Sequence, residues 1–240
     1  MDVVLLHGFG ENDEIWDEFL LELPKNHTYH CLDYSRLTFC QSIEEYADWV
    51  HSEIEQLGIF RFAIIGHSMG GYISLAYAEK HGEYLSGIGL FHSTAYADPE
   101  EKKRTREKTI GFLDKKGTEP FITNFLPTMY SHTYQRKNGV KIKKLLETNM
   151  HIPKEALMQA TAAMMVRPDR TNVLKTSKLP ILYIVGKADP FIDYQDALAQ
   201  LAFIQRPFSL ILDDVAHAGM KEATHLTAAL MVSFLEECDK

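Results

Sequence analysis

Short apolar runs that alternate with amphipathic stretches predict an α/β fold, with a mostly parallel central sheet, helices on both faces and an inserted helical cap. Three observations carry this prediction. The first half reads strand, helix, strand; the rhythm stops between residues 96 and 170 and then resumes; and a Gly-x-Ser-x-Gly turn falls between a strand pattern and a helix pattern. Parallel neighbours need crossover connections, and right-handed helical crossovers supply them.

The elements follow in order. Val3-Val4-Leu5-Leu6 has the continuous apolar pattern of a buried strand, and His7-Gly8-Phe9-Gly10 follows as a turn. Residues 29–32 form a second, weaker strand pattern. Ile43, Tyr46, Ala47, Val50, Ile54 and Leu57 recur at helical spacing. Ser42 and Glu45 before that run have the form of a capping box. Residues 60–65 predict a strand, 69–81 a helix rich in small residues, and 85–91 another strand. Between 96 and 170 no strand pattern occurs, and helices are expected around 100–115, 118–130, 141–149 and 154–166. The rhythm resumes with a strand at 180–185, a helix at 194–201, a strand at 208–212 and a last helix at 221–237. The chain is therefore expected to divide into a core, residues 1–95 and 171–240, and a helical cap, residues 96–170.

Composition narrows the function. With 240 residues and a hydrophobic fraction of 45%, the chain can bury a sizeable core. A formal net charge of -8 argues against general nucleic-acid binding, which needs basic surface for phosphates. The charge is uneven: residues 96–170 hold 15 Lys and Arg against 9 Asp and Glu. Most such runs are the solvated face of a helix; a basic cap that attracts an anionic substrate is the sharper alternative. Cys31, Cys40 and Cys238 form no Cys-x-x-Cys pair, so reduced thiols in a cytoplasmic protein are expected. No apolar stretch has the length of a signal peptide or membrane span.

Ile64-Ile65-Gly66-His67-Ser68-Met69-Gly70-Gly71 is the most informative stretch. A very tight strand-to-helix turn lifts the Ser68 hydroxyl above the sheet. Bulky side chains two positions to either side would collide, so Gly66 and Gly70 fit there. The helix that starts behind the turn offers free N–H groups and a favourable dipole to developing negative charge. His67 is expected to point away from the hydroxyl. The turn at residues 7–10 is expected to supply a second donor, so the backbone N–H groups of Phe9 and Met69 form the predicted oxyanion hole. His7 has no partner at metal-ligand spacing and reads as a structural residue of its loop; no metal is expected.

A serine nucleophile needs a base, and the base an orienting acid. In a parallel sheet both belong in loops after later strands. Asp189 follows the strand at 180–185, and His217 follows the strand at 208–212, giving the chain order Ser, Asp, His. Asp98 is the runner-up acid. Asp213 and Asp214 read as turn residues, Asp193 as a helix cap, His225 as part of the last helix, and His92 as a wall of the pocket.

Together, His7-Gly8-Phe9-Gly10, Gly66-His67-Ser68-Met69-Gly70-Gly71, Gly186-Lys187-Ala188-Asp189 and Ala216-His217 resemble the α/β-hydrolase superfamily. Met165-Val166-Arg167-Pro168-Asp169-Arg170 is similar to a stretch of esterase-like members. The resemblance implies a helical cap after the family's sixth strand, which matches 96–170. The first apolar run stands where the family's third strand would be, so the leading hairpin is expected to be missing. Leu32-Asp33-Tyr34-Ser35-Arg36 departs from the glycine-bearing turn of many members.

The expected activity is hydrolysis of a carboxylic ester or thioester with a small, largely apolar acyl group, through an acyl-enzyme and without a cofactor. Phe9, Met69, Phe112, Phe121, Phe125, Leu126, Met129, Met158, Met164 and Met165 are candidates for an apolar pocket. The implied partner is a small-molecule ester; no nucleic acid and no membrane are expected. Two alternatives share the constellation: a carbon–carbon hydrolase or lyase, which cap arginines facing the serine would favour, and a small-molecule receptor of the same fold.

Overall fold

The computed structural model describes residues 1–240. Six parallel strands form one sheet: β1 (Asp2–Leu6), β2 (Thr28–Leu32), β3 (Phe62–His67), β4 (Leu85–Phe91), β5 (Ile181–Gly186) and β6 (Pro207–Leu212). Their order is β2-β1-β3-β4-β5-β6. The chain leaves β1 outward to β2 and then returns to place β3 on the other side of β1. This reversal opens a crevice at the carboxyl ends of β1 and β3, where ligands of open α/β sheets bind.

Alternation along the strands builds two cores. Val4, Leu6, Ile64, Ile88 and Tyr183 face one side, while Val3, Leu5, Ile65, Phe91 and Ile184 face the other. The central strands β3, β4 and β5 are buried throughout, as parallel strands covered on both faces must be. Against the first side pack α2 (Ile43–Gln56), α3 (Met69–His81), α9 (Thr171–Thr176) and α10 (Tyr194–Leu201). Against the second pack α1 (Asp17–Leu20), α11 (Gly219–Glu222) and α12 (Thr224–Cys238). The helix starts are chemically marked. The Ser42 side chain accepts the Glu45 N–H at 3.2 Å, and Asp193 accepts the N–H groups of Gln195 and Asp196. Such caps contribute about 1 kcal/mol each.

Between β4 and β5 the chain is helical: α4 (Glu100–Lys116), α5 (Thr118–Phe125), α6 (His132–Lys137), α7 (Gly139–Asn149) and α8 (Lys154–Val166) precede α9. Some boundaries differ from the sequence reading, for local reasons. The helix expected over 118–130 ends at Phe125 and continues as a 3-10 turn, because Pro127 has no N–H for the α ladder. β3 starts two residues later than expected and leaves Phe60 80% exposed. The last helix breaks at Ala223, where Glu222 turns back to accept the N–H groups of Ser131 and Ala216. Helices α1, α6 and α9 span six residues or fewer, too short to print a periodicity.

No helix is long and apolar enough to cross a membrane. The three cysteines are unpaired, and burial pushes each thiol up to about 12.

Candidate active site

The turn after β3 is held from several sides. Ser68 has φ 51° and ψ -112°, a conformation that side chains disfavour. Its N–H donates to the Phe91 carbonyl at 2.9 Å, and its own carbonyl accepts the Ser93 hydroxyl at 2.7 Å. A Cβ at Gly66 would stand 2.0 Å from the Gly70 carbonyl carbon, and one at Gly70 would stand 2.6 Å from the Leu6 oxygen. Both obstacles are backbone and cannot rotate away. Gly66→Ala is therefore expected to cost at least about 3 kcal/mol, read as a lower urea midpoint; an unchanged midpoint would contradict this packing.

Ser68, His217 and Asp189 meet at the carboxyl ends of β3, β6 and β5. Ser68 Oγ lies 2.8 Å from His217 Nε2, and His217 Nδ1 lies 2.7 Å from Asp189 Oδ2. With Nδ1 donating to the carboxylate, Nε2 is the acceptor and the serine hydroxyl donates to it. Asp189 accepts two further hydrogen bonds on Oδ1, from the N–H groups of Phe191 at 2.8 Å and Ile192 at 3.0 Å. Burial opposes its ionisation, but the charge and hydrogen bond of His217, with that of His92, outweigh burial and hold the carboxyl well below the usual range.

His92 is not a wall of the pocket. It lies beneath Asp189, fully buried, with φ 50°. Its Nε2 accepts the Gly219 N–H at 3.0 Å, so Nδ1 carries the proton and donates to Asp189 Oδ2 at 3.2 Å. Burial pushes its pKa down to about 4 despite the neighbouring carboxylate, which keeps the ring neutral. His92, Asp189 and His217 offer three ligand atoms within 4.8 Å of one another. In the site as it stands, those groups are engaged in the hydrogen bonds just described.

Sequence reasoning gave no role to Glu11. Its Oε2 accepts the Gly8 N–H at 2.9 Å and faces His67 Nδ1 at 2.7 Å. His67 Nε2 then donates to the His217 carbonyl at 2.7 Å. Both ring nitrogens of His67 face acceptors, so the ring is the imidazolium partner of the Glu11 carboxylate. Burial works against both charges, yet the pair prevails: the pKa of His67 is raised and that of Glu11 lowered. One buried ion pair thereby joins the loop after β1, the turn after β3 and the loop carrying His217.

The backbone N–H of Phe9 makes no hydrogen bond within the protein. Met69 is the first residue of α3, where helical N–H groups have no partner one turn back. His7 is turned into its own loop: its ring stacks on Tyr34 at 3.8 Å and Nδ1 donates to the Gly8 carbonyl. Asp98 is not near His217; it pairs with Arg106 and, at 2.8 Å, with Arg167. Arg167 also lies over the Tyr72 ring at 3.9 Å, and Arg170 pairs with Glu44 and Glu79. Asp213 pairs with Lys187, and exposed His225 with Glu22.

A cavity of about 190 Å³ opens beside Ser68 and His217. Phe9, Phe121, Phe125, Met129, Met164 and Phe191 form its apolar wall. Of the residues expected to line it, Met69, Phe112, Leu126, Met158 and Met165 do not. Met69 is buried in the core on the α3 side, and Phe112 is 38% exposed. Tyr72, Lys102, Thr105, Arg106, Thr109 and Thr161 complete the lining; Lys102 and Arg106 belong to the basic excess of residues 96–170, while nothing in the local sequence marks the other four.

Comparison with known proteins adds context. Residues 3–230 match the profile of the alpha/beta hydrolase family. A pimeloyl-[acyl-carrier protein] methyl ester esterase of Yersinia enterocolitica is 25% identical, over 98% of this chain and 93% of that protein. A monoacylglycerol lipase of Xenopus laevis is 25% identical, over 97% of this chain and 74% of that protein. Among solved structures, a malate-bound thermophilic esterase from Thermogutta terrifontis superposes with a TM-score of 0.93 at 23% identity, covering 100% of this chain and 91% of that one.

Proposed function

The chain belongs to the alpha/beta hydrolase family, and we propose that it hydrolyses a carboxylic ester or thioester of a small, largely apolar acyl group through an acyl-enzyme on Ser68. One observation carries the reading: an unbroken chain of hydrogen bonds from Ser68 through His217 to Asp189, ending at an apolar cavity. The names of the two relatives, an ester hydrolase and a lipase, support the same reaction class. The cavity is smaller than the ~300–1,000 Å³ of drug-sized ligand pockets, which favours a short acyl group.

The proposed chemistry uses each neighbour once. Ser68 Oγ attacks the carbonyl carbon while its proton passes to His217 Nε2. The carbonyl π pair moves onto oxygen, and the N–H groups of Phe9 and Met69 receive that charge. Asp189 stabilises the imidazolium and fixes its tautomer. Collapse breaks the bond to the leaving alcohol or thiol, which takes the proton from Nε2. Water then attacks the acyl carbonyl carbon, giving a proton to His217 Nε2, and collapse breaks the bond to Ser68 Oγ, which takes that proton back as the acid leaves. The helices of residues 96–170 act as a cap that keeps bulk water from the cavity. No cofactor takes part. The unpaired thiols support a reducing, cytoplasmic setting.

The test is turnover of short acyl esters and thioesters by the native protein and by Ser68→Ala, with fluorophosphonate labelling of Ser68 alongside. Ser68→Ala is expected to lose about 10⁶-fold in kcat and all labelling. Turnover that survives the substitution would sink the serine mechanism.

A further inference from the structure

The face that α4 turns toward the cavity is of the wrong chemistry for a purely apolar substrate. Lys102, Thr105, Arg106 and Thr109 recur at helical spacing and all line the cavity. A helix over an apolar space normally presents an apolar stripe. Here α4 buries only one residue fully, Leu113, and its cavity face is cationic and hydroxylic. The rest of the basic run points elsewhere: Lys103 pairs with Glu100 at 2.8 Å, and Arg104 and Lys108 are exposed.

The charge around the cavity is one-sided. Of its 14 lining residues none is an Asp or Glu. The acidic side chains Asp98, Glu101, Asp189, Asp193 and Asp196 line an adjoining groove that shares Lys102, Thr105 and Phe191 with the cavity. Arg106 is held by its Nε on buried Asp98, and its two terminal nitrogens have no partner in the protein. Asp98 also serves Arg167, so three side chains carry one negative and two positive charges. Lys102 Nζ is anchored to the Phe191 carbonyl at 2.8 Å, with further protons to donate. A guanidinium fixed from behind and open in front is prepared for a planar, bidentate anion.

We propose that Arg106 and Lys102 form a subsite for a carboxylate, and that the substrate is a half-ester of a short dicarboxylic acid whose free carboxylate lies against α4. This rests on the ester-hydrolase reading and names the far end of the molecule that enters that site. The apolar wall takes the methylenes; Thr105 and Thr109, whose hydroxyls donate to the Glu101 and Thr105 carbonyls of their own helix, line the space beside the two cations and give the carboxylate no hydrogen bond.

The test compares monoethyl glutarate with the ethyl ester of glutaric acid monoamide, equal in size and identical at the reacting bond. The half-ester is expected to show a kcat/KM at least about tenfold higher, as charge-assisted hydrogen bonds give. That advantage is expected to shrink with added salt. Lys102→Met and Arg106→Met are each expected to move the ratio toward one. Arg106→Met leaves Asp98 paired with buried Arg167, so the carboxylate keeps a counter-ion when the guanidinium is removed, and the thermal midpoint of each variant checks that it folds. Equal turnover of both esters overturns the carboxylate subsite and leaves the ester-hydrolase reading standing. So does a preference that survives both the Lys102 and the Arg106 substitution. Turnover of neither ester, with no fluorophosphonate labelling of Ser68, overturns the ester-hydrolase reading, and the subsite falls with it.

Discussion

Asp189→Asn is expected to lower kcat by about 10⁴-fold while the protein still folds. The reason is that every group around this carboxylate is a donor. His217 and His92 donate to one oxygen, and the N–H groups of Phe191 and Ile192 donate to the other. An asparagine must aim its NH₂ at one of these pairs. Aimed at the histidines, it forces His217 to accept at Nδ1 and carry its proton on Nε2, facing Ser68. The ring then cannot take the hydroxyl proton. Aimed at the backbone, the NH₂ strands two N–H groups, at about 1–3 kcal/mol for each buried group left unpaired. The checks are the pre-steady-state acylation rate, which is expected to fall with kcat, and the thermal midpoint. A variant with native acylation would mean that the carboxylate does not set the tautomer of His217.

Glu11→Gln is expected to cost about 3 kcal/mol or more in stability, although residue 11 touches no reacting atom. Removing one charge of a buried pair leaves the other uncompensated, and the His67 and Glu11 side chains are 0% and 2% exposed. The pH dependence has a definite sign. His67 has a raised pKa in the fold, so its contribution is complete below its ordinary value of 6.5 and is lost as pH climbs through the raised value. Glu11 has a lowered pKa, so its contribution is complete above its ordinary value of 4.5 and is lost as pH falls through the lowered one. The stability gap between native protein and variant should therefore be widest between pH 4.5 and 6.5 and should narrow at alkaline pH. Urea denaturation at pH 6 and pH 9 measures it; a gap that is equal at both would mean that His67 is neutral. Activity is expected to fall by about 10²-fold, since the pair anchors both Gly8 and the His217 carbonyl and small misplacements cost that much.

Both effects depend on contacts between loops that are distant in the chain. This is where sequence and structure part. The strand pattern of residues 3–6, the capped helix from Ile43 and the Gly66–Gly70 turn were legible because each depends on its immediate neighbours. Backbone sterics, side-chain alternation and the missing N–H groups at a helix start act over a few residues. The same short-range logic placed Ser68, Asp189 and His217 at strand ends, where the structure brings them within hydrogen-bonding distance. His67 was read only as pointing away from the hydroxyl; what it points toward, Glu11, lies 56 positions earlier. His92 ends a strand near the site and so reads as pocket wall, whereas the fold sets it beneath Asp189, 97 positions later. The excess of Lys and Arg in residues 96–170 was legible, but not which of those side chains would face the cavity, because that depends on how α4 is rotated against the β-strand ends.

The amino-acid order alone determined the parallel α/β plan, its long helical interruption and the strand ends at which Ser68, Asp189 and His217 stand. Only the packed molecule decided which buried charges neutralise one another, which histidine holds the acid and which cations look into the cavity. Local backbone preferences are written residue by residue, whereas the partner of a buried charge is chosen by whatever low-dielectric surroundings the assembled loops create.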